Sequence, residues 1–277
     1  MKTIQFIISL AFVTSFVACT KESEEDIDTS QSAFETEVGI LSEEVEKSAD
    51  AVTFEENLQS NQLGQANGPI PDCASISIEF PEGGDFPRVI TIDYGEENCQ
   101  VRPNLTKRGK VIVTLTDSIS VVNSQRIISF DSFYINDNLV TGERILTNIG
   151  LNEDGFLVFD IANDFAIGDW SRVTDGSKTF IEGFETPGYE DNVFLIDGSS
   201  ETTRASGLVI NRTITESLRV DRSCGYITEG TVSITWNEEM ASIDFGDGSC
   251  DNIAIITRND QEFEIEMTFF RCHRRFN

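Results

Sequence analysis

The sequence predicts a mainly β protein: a large antiparallel, hairpin-rich sheet, built as a sandwich or a curved open roll, behind one N-terminal amphipathic helix. Three observations predict it. From Cys73 onward apolar residues recur with period two, the spacing that sends alternate side chains to one face of a strand. Asp-Gly pairs stand at 154–155, 175–176, 197–198 and 247–248, and such pairs tolerate the positive φ of tight hairpins. Ahead of that region, a single stretch has helical spacing.

The helix is expected over residues 31–56. Phe34, Val38, Leu41, Val45, Ala49 and Val52 follow steps of three and four, which stacks them on one face. Ser32 and Glu35 have the spacing of a capping box at its start. Glu43, Glu44, Glu46 and Lys47 fall mostly off the stripe and are expected in water. The stripe is expected to dock on the β region or to serve as a spacer; a dimerising coiled coil is the alternative, with about three heptads to specify it. Residues 57–72 are polar, broken by Gly64, Gly68, Pro69 and Pro71, and read as a linker.

The β domain is expected over 73–277. Its clearest strand signals are Ile90–Tyr94, Lys110–Leu115, Arg126–Phe130, Leu157–Ile161, Val209–Ile214, Thr231–Trp236 and Glu262–Met267. Within it the chain matches itself at an offset of 151 residues, between 73–115 and 224–257. Cys73 and Cys99 are 26 positions apart, as are Cys224 and Cys250, and Ile92-Asp93-Tyr94-Gly95 meets Ile243-Asp244-Phe245-Gly246. Two copies at so long a period exclude a solenoid or propeller and suggest pseudo-symmetry. Four cysteines allow three connectivities. The repeat favours Cys73–Cys99 and Cys224–Cys250, with Cys272 left over.

At the N-terminus, Lys2 precedes an uncharged run from Thr3 to Ala18, too short for a span of about 20 residues and followed by acid. With Phe16-Val17-Ala18-Cys19 at its end, this run resembles a bacterial lipoprotein signal. That resemblance implies a signal peptide over 1–18, lipid on Cys19, and an acidic tether over 19–30. Lys21-Glu22-Ser23-Glu24-Glu25-Asp26 is similar to the signal that sends Bacteroidota lipoproteins to the outer face of the outer membrane. The lipobox, the Phe86-Pro87-Arg88-Val89-Ile90 segment between the first cysteines and the Ile243 to Asn252 segment together resemble a group of uncharacterised Bacteroidota lipoproteins. That group implies location and β architecture, and no activity.

The net charge is −28, from 48 acidic and 20 basic side chains. Residues 19–60 alone hold 13 acidic residues against two lysines. Such a field repels phosphate backbones, so nucleic acid is excluded as a partner. His273, the single histidine, lies beside Cys272 in a basic tail, and neighbours on a strand face opposite ways, so no nucleophile–base pair forms there. Cysteines 26 apart do not have zinc spacing. Asp93 and Asp244, equivalent by the repeat, would suit glycoside hydrolysis only if brought within about 5 to 9.5 Å. In a chain this acidic that signal is weak, and the chain reads as non-enzymatic with no cofactor. Asp244, Asp247 and Asp251 around a tight turn are the one candidate Ca²⁺ site, though without the EF-hand order. Trp170 and Trp236 are the candidate ligand-binding residues, as a stacking platform for sugar.

These readings converge on a lipid-anchored, surface-exposed envelope protein that binds a glycan or an envelope partner. The alternatives are a structural lipoprotein without a small ligand and a lipid carrier with an apolar cavity.

Overall fold

The computed structural model describes residues 30–53, 70–186, 191–224 and 226–267. Cys19, the signal and tether, most of the linker, Cys272 and His273 lie outside them. One helix, α1 (Ser30–Thr53), precedes fourteen strands: β1 (Ser75–Glu79), β2 (Arg88–Asp93), β3 (Cys99–Arg102), β4 (Leu105–Leu115), β5 (Gln125–Ile135), β6 (Asn138–Leu151) and β7 (Leu157–Ile167), then β8 (Trp170–Glu182), β9 (Val193–Arg204), β10 (Val209–Asp221), β11 (Ile227–Trp236), β12 (Glu239–Asp247), β13 (Ile253–Arg258) and β14 (Gln261–Glu266). All strands join one antiparallel sheet in which each pairs with the next in sequence. The exception is β3, which forms a short hairpin on β4 while β2 pairs directly with β4.

Several hairpins are made by residues other than those the Asp-Gly pairs suggest. Asn136-Asp137, Asn237-Glu238 and Asn259-Asp260 each have positive φ at both positions and close two-residue loops between β5–β6, β11–β12 and β13–β14. Of the Asp-Gly pairs, 154–155 lies in the β6–β7 turn and 247–248 at the end of β12, where Gly248 has positive φ and opens the connection to β13. Asp175-Gly176 and Asp197-Gly198 instead sit in the middle of β8 and β9, with Gly176 directly opposite Gly198. The reason is close approach: a Cβ on Gly176 would lie 2.3 Å from the Asp197 carbonyl oxygen, and one on Gly198 2.4 Å from that of Asp175.

Helix α1 lies on the inner face of the curved sheet, which wraps it from two sides. Val38, Leu41, Val45, Ala49 and Val52 are all buried against residues of β2, β4 and β5. At roughly 1.5 to 3 kcal/mol per fully buried large aliphatic side chain, this stripe alone ties the helix to the sheet. Phe34 reaches Trp170 edge-on at 6.4 Å, and Phe34 and Ile40 also pack on a second cluster built by β10 to β14. The stripe is therefore buried within the chain and leaves no face for a coiled coil. The capping box does not form. The helix begins two residues earlier, Ser32 is buried inside it, and Glu35 turns to an arginine of the sheet.

The repeat is visible in the fold. In both copies the Asp side chain accepts a 2.8 Å hydrogen bond from the amide of the Gly two residues on, Gly95 and Gly246, each with positive φ. The copies differ in register. Ile76 faces Ile92, whereas Val232, not Ile227, faces Ile243, because an eight-residue connection joins β1 to β2 and a two-residue turn joins β11 to β12. Moreover β1 and β11 are an odd number of strands apart in the sheet, so the copies run in opposite directions and their turns lie at opposite ends.

Candidate functional site

Four acidic residues of α1, Glu35, Glu44, Glu46 and Asp50, are buried, although Glu44 and Glu46 were expected in water. They meet basic residues that occupy inward positions of the strands. Arg126 of β5 bonds both Glu46 and Asp50, the latter at 2.6 Å. Arg144 of β6 lies 2.9 Å from Glu46, and Lys178 of β8 donates to Glu46 at 2.9 Å. Arg222, just past β10, donates to Asp50 at 2.9 Å and to Glu43 at 3.0 Å. Nearer the N-terminus of the helix Arg172 pairs with Glu35. Arg102 pairs with Glu44, while Lys107 donates to Ser48 at 2.9 Å.

Electrostatics holds Glu44, Glu46 and Asp50 ionised. Burial alone would raise Glu46, but Arg126, Arg144, Lys178 and Arg222 outweigh it and hold it well below the usual range. Asp50 and Glu44 are lowered in the same way, against desolvation, by their cationic neighbours. Desolvation lowers Lys178, with Asp50 and Glu46 opposing. Its ammonium also lies 3.9 Å from the centre of the Phe194 ring. Buried cations outnumber buried carboxylates: Lys107, Arg126, Arg144, Arg172, Lys178 and Arg222 face four acids among the described residues. A protein of net charge −28 thus has a cationic interior.

Beside α1 the packing is incomplete. Gly39 leaves open space, since a Cβ there would meet nothing within 4 Å. Two adjoining crevices share Gly39, Glu43, Arg212 and Ile227. One, of about 40 Å³, is walled by Ile40, Ile243, Phe245 and Met267; the other, of about 70 Å³, reaches Asn163 and Ser200.

The residues singled out in the sequence fall elsewhere. Cys73–Cys99 and Cys224–Cys250 are disulfides, with Cα separations of 5.7 and 5.8 Å. Asp244, Asp247 and Asp251 are not gathered around one point. Each carboxylate accepts a backbone amide of its own turn, from Gly246, Ser249 and Ile253. Among the described residues no group of three or more acidic, His or Cys side chains is placed to hold a metal. Trp170 and Trp236 are buried in the apolar clusters, Trp170 against Phe34 and Phe165, Trp236 beneath the Arg258 guanidinium. Neither ring presents a free face for stacking. Asp93 and Asp244 are at opposite ends of the sheet.

What sequence reasoning missed was the interior charge, and a signal for it exists. Arg126 precedes Ile128 by two, Arg144 precedes Leu146, and Lys178 precedes Phe180, so each cation sits in the apolar phase of its strand. No family model, curated protein or solved structure matches this chain.

Proposed function

We propose that this protein is a lipid-anchored binding module of the cell envelope, non-enzymatic, tethered through Cys19 on the outer face of the outer membrane, and that its partner is a protein. The observation that carries the reading is an apolar rim at one end of the sheet. Val121 and Val122 in the β4–β5 loop are 43% and 53% exposed, and Ile149, Leu151 and Phe156 around the β6–β7 hairpin are 48%, 69% and 38% exposed. The two segments are bound to each other. The Asn148 side chain donates to the Ile119 carbonyl at 2.8 Å, and the Asn123 amide donates to that of Asn148 at 2.8 Å. A Cβ on Gly150 would touch Val122 at 3.7 Å.

Exposed apolar surface gathered at one place marks an interaction site. Asp117, Glu153, Asp154 and Asp160 flank this one and are exposed. Their charge disfavours anionic lipid and fits a protein face with an apolar centre and a basic margin. Among the described residues α1 covers the inner face of the sheet, and the crevices beside it, of about 40 and 70 Å³, are smaller than an acyl chain, which speaks against a lipid carrier.

The test is site-specific photo-crosslinking in intact envelopes. A photoreactive residue at Leu151 should give a discrete adduct. The adduct should be absent from position 240 at the opposite end of the sheet and lost when Val122→Glu is added. Equal yields at both ends, or no adduct, would overturn the reading.

A further inference from the structure

Arg212 is the odd cation of the interior. Its neighbours Arg144, Arg172 and Arg222 all have carboxylate partners, yet among the described residues Arg212 makes no hydrogen bond or ion pair. Desolvation, then the like charge of Arg172, lowers its guanidinium to about 10, so it remains charged at neutral pH. Glu35 and Glu43 act on it only from a distance, since each is engaged by another arginine.

Two further polar groups in the same crevice lack partners. Ser200 Oγ and Asn163 Oδ1 are buried with no hydrogen bond, on residues 7% and 6% exposed. Leaving such groups unsatisfied is costly, and each in a native protein calls for an explanation. The space beside Gly39 is large enough for several water-sized atoms at about 10 to 15 Å³ each. On its other side the walls turn apolar, at Ile227, Ile243 and Phe245. Arg212, Glu43, Gly39 and Ile227 all keep some exposed surface, so the crevice opens to solvent.

We infer that this crevice binds a small organic acid, its carboxylate against the Arg212 guanidinium between Ser200 and Asn163 and its short apolar body against Ile227 and Ile243. A planar carboxylate matches the guanidinium fork and accepts from the Ser200 hydroxyl. Asn163 contributes its amide N–H₂ once the side chain is turned over, exchanging the positions of its oxygen and nitrogen. One negative charge is what the site accommodates. A phosphate dianion would meet Glu35 and Glu43 with, among the described residues, only Arg212 to offset it. The inference is independent of the apolar rim, which lies at the end of the sheet.

The experiment is a titration of the ¹⁵N-labelled chain from Cys19 onward, without lipid, with sodium butyrate, following the Ile40 and Ile227 amide resonances beside the crevice against sodium chloride at equal ionic strength. Butyrate should give a saturable shift that chloride does not. Arg212→Met should weaken it at least tenfold and Ser200→Ala several-fold. Gly39→Leu, which fills the space without removing a charge, should abolish it, and covers the case in which Arg212→Met does not fold. Butan-1-ol should give no saturable shift. The absence of a butyrate shift, equal affinity in Arg212→Met and Gly39→Leu, or inorganic phosphate binding as tightly as butyrate would each overturn the assignment.

Discussion

Glu46 shows how much a single buried charge controls here. Its carboxylate, with no exposed surface, meets Arg126, Arg144 and Lys178 at once. Removing one member of a buried pair strands the other, at about 3 to 5 kcal/mol. Glu46→Gln should therefore lower the urea-unfolding free energy by about that amount. Glu239→Gln, which breaks the exposed 2.9 Å pair with Arg258, should cost no more than about 1 kcal/mol. The same carboxylates set the acid limit. Glu44, Glu46 and Asp50 have folded pKa values below their unfolded ones, so their stabilisation is full above about pH 4 to 5 and is lost as pH falls through the folded values. Lys178 has the opposite sign: lowered on folding, it destabilises at neutral pH, and that cost lifts as pH rises past its folded value toward 10.5. Melting temperature against pH should accordingly fall on the acid side with Glu46 present and fall less steeply in Glu46→Gln. None of this was legible from the helix, because a Glu on a helical wheel reads as solvated. It was legible in the strands, where Arg126, Arg144 and Lys178 break the apolar phase.

At the scale of elements, the strands with clean alternation were legible and several others were not. Five of the seven runs fall wholly within a strand, Ile90–Tyr94 and Glu262–Met267 overrun β2 and β14 by one residue each, and both disulfides follow from the 26-residue spacing. Strand β8 hid behind Asp175-Gly176, and β9 behind Asp197-Gly198, because the same dipeptide serves a turn or a close backbone approach. Asn136-Asp137 and its two counterparts gave no Gly to mark a turn. A glycine required by close approach and one that is not can be told apart experimentally. Gly109 has φ of 79°, and a Cβ there would lie 1.9 Å from the Ser132 carbonyl oxygen, so Gly109→Ala should destabilise by more than about 1 kcal/mol. Gly39 has helical backbone and open space, so Gly39→Ala should stabilise by about 0.5 to 1 kcal/mol. Thermal denaturation of the two variants reads both signs.

For the whole molecule, the unusual feature is a sheet whose inner face carries the cations and whose helix carries the matching acids. Neither element satisfies its charges alone: among the described residues the carboxylate partners of the six buried cations on the sheet side all lie on α1. The helix is part of the domain's core. The anchor belongs to this scale as well. Cys19→Ala should abolish labelling by a fatty-acid analogue, and protease shaving of whole cells should digest the wild-type chain; persistent labelling or full protection would remove the proposed location. The most direct test of the account is native-state hydrogen exchange over α1 and the sheet together. Amides from Thr36 to Val52 should exchange with the same opening free energy as those of β4 to β8, because the helix leaves only when the sheet unfolds. Exchange of the helix at markedly lower free energy, with the sheet still protected, would contradict it.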